Sequence, residues 1–364
     1  MDSAIPDTRA MKVVFCWSVI SGYMAACWRE LAARPSIDLH VIAHPSAGTT
    51  AFQSGLLDGV SHRLLNPAEQ HDLATVQRLV DEQAPDIVAM TGWWLPAYRR
   101  LLHADRPKSV KFIMGVDSPW RSEAQFLNRF RYGSTLRRVD HFMVAGERSW
   151  QYVKRLGVSP DRISRGMYGV DVAALKAAHV QRAAARWPRQ FLTVGRYEPE
   201  KAMDVLVEGY RSYRAQVSEP WPLVCCGRGP DSRLLQGVEG IIDRGFVQPS
   251  DLVDVLASSG AFVIPSRFDP WPLALVEGAA SGLPVIGSDA CGSAVEIIRP
   301  LFNGLVIPAD NPQALAGAMR QMHDREAELP VWGERSHQLA SAYSAALWAD
   351  RWMDVFRRLT GSAA

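Results

Sequence analysis

From Met11 onward, short apolar runs rich in Val and Ile alternate with longer stretches whose apolar residues recur at helical spacing. The first series reads "KVVFCW", "YMAACWRELAA", "IDLHVIA", "DLATVQRLVDEQ", "DIVAMTG", "WLPAYRRLL" and "VKFIMGV". A second begins at "RQFLTVG" and runs through "WPLVCCG", "IIDRGFV", "GAFVIPS", "LPVIGS" and "NGLVIPA", with helical segments between. Alternation of this kind predicts β-α-β units, mainly parallel sheet and two α/β halves. Gly166, Gly169 and the stretch to Pro188 interrupt it, which places a linker near 168–188. At the end of the chain, Leu347, Trp348, Trp352, Val355, Phe356 and Leu359 fall close to an i, i+3, i+4 stripe. They predict a terminal amphipathic helix that needs a partner surface.

Length agrees with this division, since 364 residues suit two domains of roughly 150 to 200 residues. Hydrophobic residues at 48% and charged residues at 21% are a globular composition and exclude a disordered chain. A net charge of +2 gives no argument for nucleic acid, so any basic surface must be local. The five cysteines, Cys16, Cys27, Cys225, Cys226 and Cys291, form no C-x-x-C pair. They support neither a disulfide framework nor a zinc site, and a reducing compartment is expected. The N-terminal apolar run is too short for a signal sequence, and no segment reaches about 18 uncharged apolar residues. The expected location is therefore cytoplasmic. Most of the twelve tryptophans are expected in cores.

Ligands of open α/β sheets bind beyond the carboxyl ends of the strands, in the strand-to-helix turns. Three such turns in the second half are polar. "VGRYEPEK" sets Arg196 and Lys201 just past Gly195, two cations suited to a pyrophosphate, unless they only pair with Glu198 and Glu200. "CCGRGPDSR" flanks Arg228 with Gly227 and Gly229, which lets a ligand approach the backbone or simply makes a tight turn. In "SRFDPWPLALVEGAASGLPVIGS", Pro272 fits the first helical position, so the free amides beyond it would form an anion site at the positive end of the helix dipole. Asp269 precedes that helix and would serve as a cap or a ligand contact. Glu277 lies among small residues, where a buried carboxylate needs donors such as sugar hydroxyls.

The run from Phe191 to about Met322 resembles the donor domain of the retaining glycosyltransferases of family 4. "VGRYEPEK", "CGRGP", "GFVQPSDL", the E-x7-E-like segment, "CGSAVEII" and "NGLVI" occur in the family's order. The resemblance implies the GT-B fold, two Rossmann-like domains facing a cleft with a C-terminal helix crossing back. It also implies an acceptor domain at 1–170 joined by 346–364, and a donor domain at 171–345. Arg196 and Lys201 would bind the diphosphate of a nucleotide sugar, and Glu277 the ribose hydroxyls. Asp269 would face the donor sugar, Val247 the base, and the backbone around Trp271 and Leu273 sugar hydroxyls or phosphate. The implied activity is retaining transfer of a hexosyl group from a UDP- or GDP-sugar to a hydroxyl acceptor, in polysaccharide, glycolipid or glycoconjugate synthesis, with no cofactor and no catalytic metal.

The sequence also departs from the family. Asp269 stands for the first glutamate, Pro272 for a glycine, and Val116 for a histidine before Asp117, while the glycine-rich loop after the first strand keeps Gly22 alone. These departures leave open a nucleotide-binding module without transfer, or a GT-B enzyme with other chemistry on nucleotide sugars. Arg196, Lys201, Asp269 and Asp117 are the catalytic candidates, with Trp93, Trp94 and Asp117 on the acceptor side. Segment 121–165 carries ten Lys or Arg against four acids, with Trp120, Phe126, Phe130 and Tyr132 interleaved. It suggests a basic helix lying on the inner face of an anionic membrane, or an ordinary solvated face. No nucleic-acid motif accompanies the charge.

Overall fold

The structure is a computed structural model that describes residues 9–45, 55–91, 94–183 and 186–361. Among these, residues up to 169 and from 345 onward form one compact unit, and Val170–Ser344 form a second.

The first unit holds a parallel sheet of seven strands: β1 (Met11–Trp17), β2 (Ile37–Ala43), β3 (Ser61–Leu64), β4 (Ile87–Thr91), β5 (Lys111–Val116), β6 (His141–Val144) and β7 (Ile163–Arg165). Their order is β3-β2-β1-β4-β5-β6-β7. Central strands such as β4 and β6 are buried along their whole length, as parallel strands covered by helices on both faces must be. The second unit holds six parallel strands: β8 (Phe191–Val194), β9 (Leu223–Cys226), β10 (Ile241–Asp243), β11 (Ala261–Ile264), β12 (Val285–Ser288) and β13 (Gly304–Ile307). Here the order is β10-β9-β8-β11-β12-β13. In each sheet the chain builds outward on one side of its first strand and then crosses to the other. That reversal creates a crevice between the loops after β1 and β4, and another between those after β8 and β11.

The terminal helix Ala345–Thr360 belongs to the first unit. Trp348 and Trp352 pack against Phe15 of β1, with ring centroids 6.0 and 5.0 Å away, and their indole N–H groups donate to the carbonyls of Met167 and Gly166. Leu347, read as part of the buried stripe, is 43% exposed instead; it precedes Trp348 by one position and so points off the buried face.

Two expectations need correction. Within the supposed linker, Val172–Ala183 is a helix of the second unit. Leu175, Ala178 and Arg182 form its buried face, so its signal is an i, i+3, i+7 stripe that includes an arginine. The Arg182 guanidinium is buried and donates to the carbonyls of Leu256, Ser259, Ser281 and Gly282. It satisfies the carbonyl ends of two neighbouring helices, and desolvation lowers its pKa to about 9. Segment 121–165 is likewise not one helix. It contains short turns at Glu123–Leu127, Asn128–Arg131 and Gly133–Arg138, the helix Glu147–Arg155, and strands β6 and β7. Strand β6 is only four residues long, and β7, like β3, carries too few apolar residues to stand out.

Candidate functional site

The loop leaving β8 turns sharply at Ala202, whose backbone is left-handed (φ 59°, ψ 49°) although its methyl group is buried. A non-glycine residue there costs about 1 kcal/mol or more, and the turn brings Lys201 back toward the sheet. Lys201 Nζ donates to Asp269 Oδ2 in a largely buried ion pair. Burial pushes the Asp269 pKa up, opposed by Lys201, by the Trp271 backbone N–H and by Arg196. Arg196 is half exposed and pairs with Glu200 at 3.3 Å, a contact between surface groups that is worth well under 1 kcal/mol and easily exchanged.

Backbone bonds fix these loops to one another. Glu200 O accepts from Arg267 N at 2.8 Å and from Phe268 N at 3.2 Å, and Arg267 Nη1 donates to Pro199 O at 2.9 Å. Gly195 N donates to Cys226 O, Tyr197 N to Arg228 O, and Gly227 N to Gly245 O. A Cβ at Gly227 would overlap Gly195 O, and one at Gly229 would overlap Tyr197 O. Both glycines are thus needed where two loop backbones meet. Gly195, by contrast, faces open space.

Asp269 to Pro272 lie along the loop after β12. Asp269 pairs with Cys291 as an isolated bridge, Gly292 N donates to Asp269 O at 2.9 Å, and Ser293 Oγ donates to Pro272 O at 3.1 Å. Pro272 is therefore not the first helical residue. It is the N-cap (φ −62°, ψ 112°), held out of the helix by these bonds, and the helix is Leu273–Ala280 with no side-chain cap. Nor does Asp269 cap it. The N-terminus is left to its backbone amides, a partial positive charge directed out of the helix.

Glu277 lies one turn into that helix. Its residue keeps some contact with solvent, yet protein surrounds the carboxyl closely enough for desolvation alone to raise its pKa to about 7. No described residue donates a hydrogen bond to it, so its oxygens are open to solvent or to a ligand. Ser266 Oγ, at the end of β11, is also buried and unpartnered.

The second unit therefore gathers Gly195, Arg196, Lys201, Gly227, Arg228, Asp269, Trp271, Pro272, Leu273 and Glu277 around the carboxyl ends of β8, β9 and β11. Val247 is half-buried two residues past Gly245, which accepts from Gly227. Trp271 is buried rather than exposed to a ligand, and its indole N–H donates to Glu296 at 3.3 Å. The reading from sequence overlooked Gly292, where a Cβ would overlap Pro270 O, and Ser293. Both lie in "CGSAVEII", and no charge or aromatic residue signals their role.

Gly22, Trp94 and Asp117 belong to the other unit. Gly22 begins the helix Gly22–Ala32 after β1. Trp94 is 65% exposed in the turn after β4, and Trp93 lies outside the described residues. Asp117 follows β5, and its Oδ2 accepts from Tyr168 Oη at 3.1 Å. Ser21 Oγ, His44 Nε2 and Thr91 Oγ1 are buried without partners among the described residues. They lie at or just beyond the carboxyl ends of β1, β2 and β4, and their polarity is too ordinary to be singled out in a sequence.

Residues 188–325 match the family model described as glycosyl transferases group 1. An exopolysaccharide phosphotransferase of Streptomyces coelicolor is 25% identical over 229 residues, covering 61% of this chain and 24% of that protein. A D-inositol 3-phosphate glycosyltransferase of Rhodococcus jostii is 27% identical over 234 residues, covering 59% of this chain and 51% of that protein. The chain thus spans about half or less of the length of these relatives. Anabaena HepE, solved in complex with UDP, superposes with a TM-score of 0.73 at 15% identity, over 96% of this chain and 100% of that one. Two units with parallel sheets, a C-terminal helix returned to the first unit and the superposition on solved structures show the GT-B fold, within which residues 188–325 are similar to glycosyl transferases group 1.

Proposed function

We propose that this protein is a retaining glycosyltransferase that moves a hexosyl group from a UDP- or GDP-sugar to a hydroxyl acceptor in polysaccharide, glycolipid or glycoconjugate synthesis. The observation that carries the reading is the unpartnered Glu277 carboxyl beside the uncapped helix N-terminus and the Arg196 and Lys201 loop. A nucleoside diphosphate presents the complementary groups, two ribose hydroxyls for the carboxylate and a diphosphate for the cations and amides. Departure of the diphosphate develops negative charge on its bridging oxygen. Arg196, Lys201 and the amides after Pro272 stabilise that charge without a metal. Lys201 is held by Asp269 in the free protein, so a bound diphosphate would share it, while Asp269 would face the transferred sugar. Gly22 would contact the donor, and Trp94 and Asp117 would serve the acceptor, with Trp94 available to stack on a sugar ring.

The same reading includes peripheral contact with an anionic membrane. Phe126, Leu127 and Phe130 are 40%, 66% and 75% exposed beside Arg129 and Arg131, which suits an interfacial site. Among the described residues no helix is long and apolar enough to cross a membrane. Binding to phosphatidylglycerol vesicles that falls with salt is the expected result, and no binding at low salt removes this part of the proposal.

Val116 is buried in the core where the family has a histidine, which favours a binding module without transfer as the second reading. Incubation with a panel of UDP- and GDP-hexoses and hydroxyl acceptors, followed by mass spectrometry, separates the two. Transfer predicts released nucleoside diphosphate and an acceptor heavier by one hexosyl unit, with the donor's anomeric configuration by NMR. Tight nucleotide binding with no product from any pair would favour the module.

A further inference from the structure

Arg267 stands two residues before Asp269 on the loop after β11, and each of its three guanidinium nitrogens has a partner on a different segment. Nε donates to Asp310 Oδ1 in the loop after β13, Nη2 to Asp204 Oδ2 in the first turn of the helix Met203–Arg214, and Nη1 to Pro199 O at 2.9 Å in the loop leaving β8. Asp204 is drawn below the usual carboxylate range, first by this hydrogen bond from Arg267, so the contact persists at neutral pH. The two carboxylate side chains are 51% and 58% exposed, and pairs that open to solvent contribute little to stability. A planar fork on three fixed acceptors does define a geometry, which a flexible ammonium could not.

The geometry it defines is that of the backbone just ahead of Lys201. Pro199 O and Glu200 O are consecutive carbonyls, and residue 267 holds both, the first through its side chain and the second through its own backbone N–H at 2.8 Å. Pro199 O also accepts at 3.2 Å from the N–H of Ala202, the residue with the left-handed backbone. A strained conformation of this kind persists only where neighbouring structure over-determines it. Two side-chain clasps do so in the free protein: the Arg267 fork and the ion pair from Lys201 Nζ to Asp269. A diphosphate that shares Lys201 loosens the second clasp. The first does not involve Lys201 and stays in place.

We infer that Arg267 is a positioning residue, whose fork holds the loop leaving β8 in the form that directs Lys201 at a bound diphosphate. This role rests on Lys201 being a diphosphate ligand, whereas the clasp itself exists in the free protein. Without the fork, Ala202 is free to relax and the loop samples other forms. Were the competent form to fall to about a tenth of the population, apparent nucleotide affinity would fall about tenfold.

The test follows Lys201 in the full chain, first without ligand. Acetylation by limiting acetic anhydride, read by peptide mass spectrometry, should be slow at Lys201, which is ion-paired and 19% exposed, beside the exposed Lys108 and Lys176. Arg267→Met should raise the Lys201 rate several-fold and leave the other two rates and the melting temperature near their parent values. Calorimetric titration with UDP and GDP should then show about tenfold weaker binding of whichever nucleotide the parent takes, and Arg267→Lys should recover part of both effects. If Arg267→Met does not fold, Asp204→Asn with Asp310→Asn takes its place, since it removes the charge from two of the three partners and asparagine tolerates the left-handed backbone of Asp310 (φ 55°). Faster acetylation in a variant whose parent binds neither nucleotide would support the clasp and remove the donor reading. Unchanged acetylation of Lys201, or unchanged affinity where the parent binds, overturns the inference.

Discussion

Glu277 sets the pH behaviour expected of the free protein. Its pKa rises from 4.5 to about 7 through desolvation alone. Between those values the folded protein therefore holds a proton that the unfolded chain releases, and its contribution to stability falls as pH rises through 7. Glu277→Gln should then be more stable than the parent at pH 8 by on the order of 2 kcal/mol, with the gap closing toward pH 5. Melting curves across that range check this, and equal stability at pH 8 would show that the carboxyl is solvated. A ligand that donates hydroxyls to Glu277 favours the carboxylate, so nucleotide affinity should fall as the pH drops below about 7. Lys201 and Asp269 behave as a coupled pair. Lys201→Met leaves Asp269 buried without its partner and should cost roughly 3 kcal/mol. Lys201→Met combined with Asp269→Leu should cost less than the single change, which a double-mutant cycle by urea unfolding would detect.

At the scale of elements, the site depends on loops that touch through backbone. Gly227→Ala would force a methyl group into Gly195 O and should lower stability by a few kcal/mol. Gly195→Ala meets nothing within 4 Å, so its melting temperature should stay near the parent value while nucleotide affinity falls. Unchanged affinity in that variant would move the ligand elsewhere. The strands that frame these loops were legible, because buried parallel strands read as continuous apolar runs, "AFVI" and "VCC" among them. The short edge strands β3 and β7 were not legible, since solvent on one side removes that signal. Val172–Ala183 was masked by a buried arginine whose partners are carbonyls as far as 100 residues away. No local pattern announces such a partner. The start of Leu273–Ala280 moved by one residue because Ser293 and Gly292 hold the preceding backbone extended, again a contact from a distant loop.

For the whole molecule, two sheets share one topology. Each reverses its direction of growth beside its first strand, and the polar loops gather at that reversal. The candidate donor residues were readable because fixed charges and glycines cluster in three turns of one sheet. Buried polar groups of the first unit such as Ser21, His44 and Thr91 were not, since burial alone makes their polarity informative. The account stands on the second unit holding a nucleoside diphosphate, and calorimetric titration of UDP and GDP tests it most directly. One of the two should bind the parent protein. Arg196→Ala and Lys201→Ala should each weaken that binding by about 1.5 to 3 kcal/mol, and Glu277→Gln should weaken it with the fold intact. Parental affinity in all three variants would contradict the account.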